Sequence, residues 1–235
     1  MIATLTRPFR LLLDVARLPV ASLTFDPRLH PVDVHDTHRR FTRPHPKYKL
    51  FGHKQLGVAL IDLRSHPTPA AYLASITGRL GAASYAGKAR RRGYTLARID
   101  RNEHIDAIHA INTSSANRQG RPMDAGYQHK PLRYEALSHF RYYGVFSKDG
   151  RLTAYCNVGH YGNFAAFAQL LGYRNNDGVM HLMVTDIVIE LLQELHAGHG
   201  PHYLMYDTFF GARPGLRQFK TMLGFSPYRA RYTLL

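Results

Sequence analysis

Histidine and aspartate residues concentrate between positions 30 and 45 of this 235-residue chain. The stretch holds four histidines and two aspartates: His30, Asp33, His35, Asp36, His38 and His45. Imidazole and carboxylate groups are common ligands of zinc and iron. The stretch is rich in proline, however, and no two of these histidines stand four residues apart on one helix face. The spacing therefore favours a basic loop or extended arm over a metal site.

Most signatures of nucleophilic and phosphate-binding enzymes are missing. The sequence has no GxxxxGK[ST] loop, no GxGxxG after a strand, no GxSxG elbow and no HExxH. The single cysteine, Cys156, excludes an internal disulfide and a Cys-based zinc site, and it fits a reducing compartment. It stands in a predicted strand without a cationic neighbour to lower its pKa, so a buried structural role is favoured.

Positive charge is the strongest functional signal in the composition. The chain has 31 Lys and Arg against 16 Asp and Glu, a formal net charge of +15. Such an excess suits a polyanionic partner such as nucleic acid, an anionic carrier protein or a membrane surface. A solvated basic surface is the alternative. No segment has the roughly 20 apolar residues that span a membrane. The N-terminus is interpreted as mature cytoplasmic sequence, or alternatively as an amphipathic docking segment.

Two basic segments are candidate contacts with such a partner. Residues 63–99 contain seven Lys or Arg and no acid, which suggests a phosphate-tracking ridge or a solvated cationic face. Four of these cations end a predicted helix: Lys88, Arg90, Arg91 and Arg92. The second segment is RQGRPM, with Arg118 and Arg121, in a long polar loop. Long loops on compact domains often carry function, although an ordinary connection is equally compatible.

Hydrophobic periodicity and Gly and Pro positions predict the elements that must position these residues. Residues 1–55 are predicted to form an irregular basic lobe, because six prolines interrupt them. From residue 56 to 235 the patterns predict, in order, a strand (57–63), a helix from Pro69 to Gly93, a strand (94–99), a helix (103–114), a hairpin (139–159), a strand or helix (161–173), a long helix (179–198), a strand (202–207), a short helix (214–223) and a strand (228–235). A mixed sheet flanked by helices, in one α/β (α+β) domain, satisfies this order.

The C-terminal sequence YLMYDTFFGARPGLRQFKTMLGFSPYRARYTL resembles GNAT-fold acyltransferases, whose last helix and strand often read K-x-x-L-G-F-x-P. Within that superfamily it resembles more specifically the FemAB type, the aminoacyl-tRNA-dependent transferases. There an aspartate closes a strand and a phrase like G-L-x-x-F-K-x-x-F-G follows. The matching positions are Tyr206, Asp207, Gly211, Gly215, Leu216, Phe219, Lys220, Leu223, Gly224 and Phe225. Upstream, GKARRRGY (87–94) resembles the basic helix end that precedes the same domain. The resemblance covers residues 70–235 and implies a GNAT-like mixed sheet.

The resemblance also implies a reaction. An aminoacyl group would pass from aminoacyl-tRNA to an amine of a peptide or peptide-like acceptor, such as a cell-wall precursor or a peptide natural product. No ATP, metal or other cofactor is implied. Lys220 is the expected cation near the tetrahedral intermediate or the terminal phosphate, and Asp207 is the expected base or amine anchor. The other expected contacts are Phe219, stacked on the terminal adenine, with Tyr206, Arg118 and Arg121 for substrate and Lys88, Arg90, Arg91 and Arg92 for the acceptor stem.

The chain departs from the family pattern at two points. FemAB proteins usually carry two GNAT-like domains, whereas this chain has room for one. The acetyl-CoA loop Q/R-x-x-G-x-G/A is absent before the long helix, where GYRNNDGVMH (172–181) stands instead. Two other functions stay open: a GNAT N-acyltransferase that uses acyl-CoA or acyl carrier protein, and a non-catalytic RNA-binding module. The sequence does not define the amino acid, the acceptor or the oligomeric state.

Overall fold

A computed structural model describes residues 17–46, 49, 52–78, 81–118 and 121–235. Within them the strands are β1 (Val20–Phe25), β2 (Leu56–Asp62), β3 (Thr95–Arg98), β4 (Asn117–Arg118), β5 (Arg121–Pro122), β6 (Phe140–Phe146), β7 (Leu152–His160), β8 (Phe164–Gly172), β9 (Tyr203–Thr208) and β10 (Ser226–Leu234). The helices are α1 (Pro31–Thr42), α2 (Pro69–Ser75), α3 (Ala82–Arg91), α4 (Ile105–Thr113), α5 (Ala125–Gln128), α6 (Val179–His196) and α7 (Pro214–Met222). None of the described helices is long and apolar enough to cross a membrane.

Eight strands form one mixed sheet in the order β1-β10-β2-β9-β8-β7-β6-β3. The pairs β1/β10 and β8/β9 are parallel, and the other neighbours are antiparallel. Strands β4 and β5 form a separate two-stranded hairpin. The mixed sheet with flanking helices confirms the fold class that the element order predicts.

The pairing of β8 with β9 is short. It covers Phe164–Ala166 of β8 against Tyr203–Met205 of β9, although both strands continue beyond these residues. The carboxyl ends of two adjacent parallel strands are thus not paired with each other. Helix α6 follows β8 in the chain, and helix α7 follows β9.

The core lies on both faces of the sheet. Helices α3 and α6 cover one face, where the largest apolar cluster includes Cys156. Helices α1 and α4 each border a smaller cluster that contains other residues of the sheet. Cys156 is fully buried and burial raises the pKa of its thiol. The prediction of a structural cysteine is therefore confirmed.

The N-terminal part is more regular than its prolines suggest. Strand β1 pairs with β10 in the main sheet, and α1 begins at Pro31, a position where the missing N–H costs nothing. The imidazole of His30 caps α1 by accepting the N–H of Asp33 at 3.2 Å. The expectation of irregular chain is thus wrong for residues 20–25 and 31–42, and His35 and His38 do share a helix. The expectations for residues 1–16, including a docking segment, lie outside the described residues.

The helix predicted from Pro69 to Gly93 is two helices. Helix α2 ends at Ser75 and α3 begins at Ala82, after Gly81 as N-cap. Gly78 has a φ of +154°, which L side chains rarely adopt, and a Cβ on Gly81 would overlap the carbonyl oxygen of Ile76. The two glycines therefore interrupt the helix, although the apolar spacing continues through both α2 and α3 as it would in a single helix.

Candidate active site

Two cavities lie on opposite sides of α7. The aromatic cavity, about 580 Å³, is lined by α3, the start of α6 and α7, with Tyr85, Lys88, His181 and Phe219 among its residues. The charged cavity, about 400 Å³, has these ionisable residues in its wall: His45, His53, Lys54, Asp207, Arg213 and Lys220. Successive residues of a helix point about 100° apart. Phe219 and Lys220, neighbours in the sequence, therefore line different cavities.

Three rings meet in the aromatic cavity. The imidazole of His181 stacks on Tyr85, with ring centroids 4.7 Å apart and planes 19° apart. Phe219 approaches the same imidazole edge-on, with a centroid distance of 4.8 Å. Burial lowers the pKa of His181 to about 4, so this histidine is neutral near pH 7. This part of the wall is aromatic and carries no charge near pH 7, and it suits a flat, ring-containing ligand.

The N-terminus of α6 forms another part of the aromatic cavity. Its N-cap is Gly178, with a φ of +86°, and a Cβ there would overlap the carbonyl oxygen of Tyr85. No described side chain caps the helix, so its first backbone N–H groups and the positive end of its dipole are available to an anion. Lys88 lies beside them and donates to the carbonyl oxygen of Asn176 at 2.6 Å. A phosphate and an aromatic ring can therefore be held together here.

Lys220 is buried in the wall of the charged cavity, with 1% of the residue exposed. Its ammonium group donates to the carbonyl oxygens of Tyr206 at 2.6 Å and Thr208 at 2.8 Å. Burial lowers the pKa of Lys220 to about 8, although the Asp207 carboxylate acts in the opposite direction. Lys220 thus fixes the end of β9 and also presents a cation to the cavity.

Asp207 lies between those two carbonyl groups in the chain. Its φ of +52° is the only positive value for a non-glycine residue in the described part of the chain, and Asp tolerates this conformation better than most residues. Its carboxylate forms an ion pair with the ammonium group of Lys54. Partial desolvation would raise the pKa of Asp207, but Lys54 and Lys220 outweigh it and hold that pKa below its usual value. An ionised carboxylate of this kind is a weak base and a good electrostatic anchor.

Lys54 was not among the residues that the sequence singled out. It stands just before β2, which pairs antiparallel with β9 and so brings Lys54 beside Asp207, 153 residues away. The nearby His53 also has no motif around it. No local pattern signals either residue, because their position depends on the order of strands in the sheet.

The ring of Tyr206 packs against the ammonium group of Lys220. The ring lies 4.5 Å under the Lys220 ammonium group and packs edge-on against Phe167 and Phe225, with centroids 5.4 and 5.7 Å away. Burial raises the pKa of its hydroxyl. Tyr206 is thus part of the packing between the two cavities rather than of either described wall.

The basic end of α3 is largely joined to α6. Arg90 forms an ion pair with Asp186 of α6, and Arg92 forms one with Asp177 just before that helix. Arg91 is exposed and forms no ion pair with any described carboxylate. The cationic run therefore fastens one helix to another as well as providing surface charge.

The remaining predicted contacts lie elsewhere. Arg118 and Arg121 pair through their backbones in the β4–β5 hairpin, and their side chains are outside the described part of the structure. Their substrate role stays a prediction. Among the described residues, no group of three or more His, Cys, Asp or Glu side chains is placed to hold a metal ion.

Similarity to known proteins is found in structure only. No family model and no curated protein matches the sequence. The structure of FemX has a TM-score of 0.54 at 11% identity, covering 73% of this chain and 59% of that chain. A conserved protein of unknown function from Bacteroides thetaiotaomicron has a TM-score of 0.50 at 11% identity, covering 72% and 55%. The C-terminal domain of a putative lysylphosphatidylglycerol synthetase from Agrobacterium fabrum has a TM-score of 0.49 at 15% identity, covering 74% and 58%.

These likenesses concern the fold. The chain has the GNAT-like mixed sheet that it shares with FemX, which confirms the fold that the C-terminal phrase implied. It spans about three fifths of the length of the FemX structure.

Proposed function

We propose that this chain, which shares the fold of FemX, is an acyltransferase that moves an aminoacyl group from aminoacyl-tRNA to an amine of a peptide or peptide-like acceptor. One observation carries the proposal. An aromatic cavity at an uncapped helix N-terminus lies on one side of α7, and the buried cation Lys220 lies on the other side of the same helix. The resemblance of the Phe219–Lys220 phrase to FemAB-type transferases supports the same donor.

The aromatic cavity suits the 3′ end of an RNA. A terminal base could stack among Tyr85, His181 and Phe219, a contact that contributes about 1–3 kcal/mol per base. Its phosphate could lie on the N–H groups of α6 near Lys88. The glycine-rich loop that would hold the pyrophosphate of coenzyme A is absent from residues 172–181. This combination favours a nucleotide-ended ester over an acyl-CoA.

The proposed reaction needs little beyond positioning and charge. The acceptor amine attacks the ester carbonyl carbon, the new C–N bond forms, and the C–O bond to ribose breaks. The amine loses a proton and the ribose hydroxyl gains one. Two of the three N–H donors of Lys220 are used by carbonyl groups, which leaves one for the developing oxyanion. Asp207, held ionised, would anchor an ammonium group of a substrate.

The basic surface would hold the rest of the tRNA. Lys88, Arg90, Arg91 and Arg92 lie at one end of α3, beside the aromatic cavity. Arg91 is the one we propose to be most available, since Arg90 and Arg92 already contact carboxylates. Arg118 and Arg121 are proposed as further substrate contacts. A charged-tRNA donor places the reaction in the cytoplasm.

The test measures loss of the aminoacyl ester from charged tRNA, with a peptide amine present or absent. We expect faster loss with enzyme and peptide than in the spontaneous reaction. Phe219→Leu should raise the KM for charged tRNA about 5- to 150-fold, as expected for lost stacking. Phe146→Leu, which changes a half-buried phenyl group on β6, is the matched control and should leave KM unchanged.

Other outcomes would replace the proposal. Thermal stabilisation by coenzyme A, with no response to tRNA, would favour an acyl-CoA donor. Salt-sensitive binding of charged and uncharged tRNA alike, without ester loss, would favour an RNA-binding module.

A further inference from the structure

The charged cavity contains a lysine that the proposed reaction does not use. Lys54 is held in place by three contacts besides its ion pair. Its backbone N–H donates to the carbonyl oxygen of Phe41 at 3.0 Å, its own carbonyl accepts the Tyr232 hydroxyl at 2.7 Å, and its ammonium lies 5.1 Å from the Phe41 ring. The side chain is 19% exposed. The structure thus presents this cation to the cavity at a fixed position.

Positive charge exceeds negative charge in this cavity. Its wall carries the ammonium groups of Lys54 and Lys220, the guanidinium of Arg213 and two imidazoles, and Asp207 is the one carboxylate among the lining residues described. A volume of about 400 Å³ is larger than a small oxyanion needs. Cations gathered around an open space of this size favour an anionic ligand.

The carboxylate of Asp207 already takes the place of an anion in that cavity. Its side chain is 59% exposed, while its carboxylate reaches the Lys54 ammonium from the end of β9. An ion pair with one partner this exposed contributes little net stability. An incoming anion can therefore replace the Asp207 carboxylate as the partner of Lys54. The Asp207 carboxylate then becomes solvated, and the largely buried Lys54 ammonium group keeps an anionic partner.

We propose that the charged cavity binds a phosphate group, which displaces Asp207 from Lys54. Ammonium groups bind phosphate as compact point charges, and two of them line this cavity. The phosphate could belong to the RNA end on the other side of α7 or to a phosphorylated acceptor. Only this choice of source rests on the proposed function, because phosphate binding itself depends on the cavity alone.

The test is a titration of the intact protein with inorganic phosphate at constant ionic strength, followed by calorimetry and thermal unfolding. Saturable binding is expected for the unaltered chain. Asp207→Asn should tighten it about tenfold, because Asn keeps the backbone conformation and removes the competing charge. Lys54→Met should weaken it at least tenfold. Arg64→Met is the matched control: it removes a partly exposed ion pair with Asp62 and a contact with the Tyr203 ring, both outside the cavity, and should leave phosphate affinity unchanged.

Two results would overturn the proposal. One is the absence of saturable phosphate binding in both the unaltered chain and Asp207→Asn. Asp207→Asn is informative because misfolding cannot produce the gain in affinity that is expected of it. The other is loss of binding in Lys88→Met but not in Lys54→Met, which would assign the phosphate to the aromatic cavity.

A second titration, with saturating uncharged tRNA, separates the sources. A loss of phosphate affinity when tRNA is bound would assign the phosphate to the RNA, and unchanged affinity would assign it to the acceptor. Phosphate binding by a chain that binds no tRNA would retain this site and reject the proposed donor.

Discussion

Burial affects the pKa of an ionisable side chain differently in the two cavities beside α7. In the aromatic cavity, burial lowers the pKa of His181 to about 4 and the ring becomes a neutral, stacked surface. In the charged cavity, Lys220 is buried more deeply, and burial lowers its pKa only to about 8 while the Asp207 carboxylate acts in the opposite direction. The comparison teaches that one helix can separate a binding surface from a charged centre, because each side chain meets its own set of neighbours.

The largest expected effect is that of Lys220→Met on the charged cavity. The change leaves the carbonyl groups of Tyr206 and Thr208 without their donor. Hydrogen bonds to charged groups contribute about 1.5–3 kcal/mol each, so we expect a loss of about 3 kcal/mol in the free energy of unfolding, measured by urea denaturation. Aminoacyl transfer should fall at least about 100-fold.

Lys88→Met is the control for that variant, since this lysine donates to a single carbonyl group at the surface. It should unfold nearly as the unaltered chain does. Full transfer activity in a folded Lys220→Met protein would contradict the role assigned to the cation.

The next effect concerns the aromatic cavity. Gly178→Ala adds a Cβ against the carbonyl oxygen of Tyr85 at a φ of +86°. Strained backbone of this kind costs about 1–3 kcal/mol, and the start of α6 must shift. We expect a lower melting temperature and weaker tRNA binding. Gly198→Ala is the control, because φ is again +86° but nothing lies within 4 Å of the added Cβ. If both variants lost tRNA binding equally, the loss would not be due to the contact of the added Cβ with Tyr85.

The third prediction uses the pKa of His181. Its folded-state pKa, about 4, lies below the ordinary value of 6.5, so the unfolded chain binds the proton more readily. The stability due to neutral His181 is therefore present above pH 6.5 and is lost as the pH falls toward 4. His181→Phe should reduce the pH dependence of the unfolding free energy in this window by about 1.4 kcal/mol per pH unit.

Urea denaturation at several pH values between 7 and 4 measures this dependence. The non-titrating variant Phe146→Leu should shift stability equally at every pH. An unchanged slope in His181→Phe would refute the burial of a neutral imidazole.

The smallest effects are expected outside both cavities. Arg90→Gln and Arg92→Gln remove ion pairs that are partly exposed, and such pairs contribute about 0–1 kcal/mol. Arg91→Gln should leave stability unchanged but reduce the salt dependence of tRNA binding by about one ion. Thermal unfolding and filter binding at two salt concentrations measure the two quantities. A larger loss of tRNA binding in Arg92→Gln than in Arg91→Gln would make Arg92, not Arg91, the main contact with tRNA.

Local signals predicted much of the fold. Pro214 and Gly224 mark the start and end of α7, and Gly150 marks the turn of the β6–β7 hairpin, as expected. The same signals failed where one residue type has two uses. Pro31 looked like a helix breaker but stands in the first turn of α1, and Gly78 and Gly81 interrupt what the apolar spacing presents as one helix.

The site was predictable only in part, for a related reason. The phrase around Phe219 and Lys220 is contiguous, so the sequence alone could present both residues as a pair. Arg90 and Arg92 were predicted as contacts with the acceptor stem, or as part of a solvated cationic face. Their carboxylate partners, Asp186 and Asp177, lie more than 80 residues away. A cationic run cannot reveal an acidic partner on another element.

The sequence by itself determined the properties that depend on near neighbours: the helix caps, the alternation of the strands, the excess of positive charge and the order of Phe219 and Lys220. Only the tertiary structure decided which cavity each of those two residues lines, and that Lys54 meets Asp207. The reason is physical. Backbone pairing brings β2 beside β9, and the contacts that neutralise or bury a charge come from strands and helices that are distant in the chain.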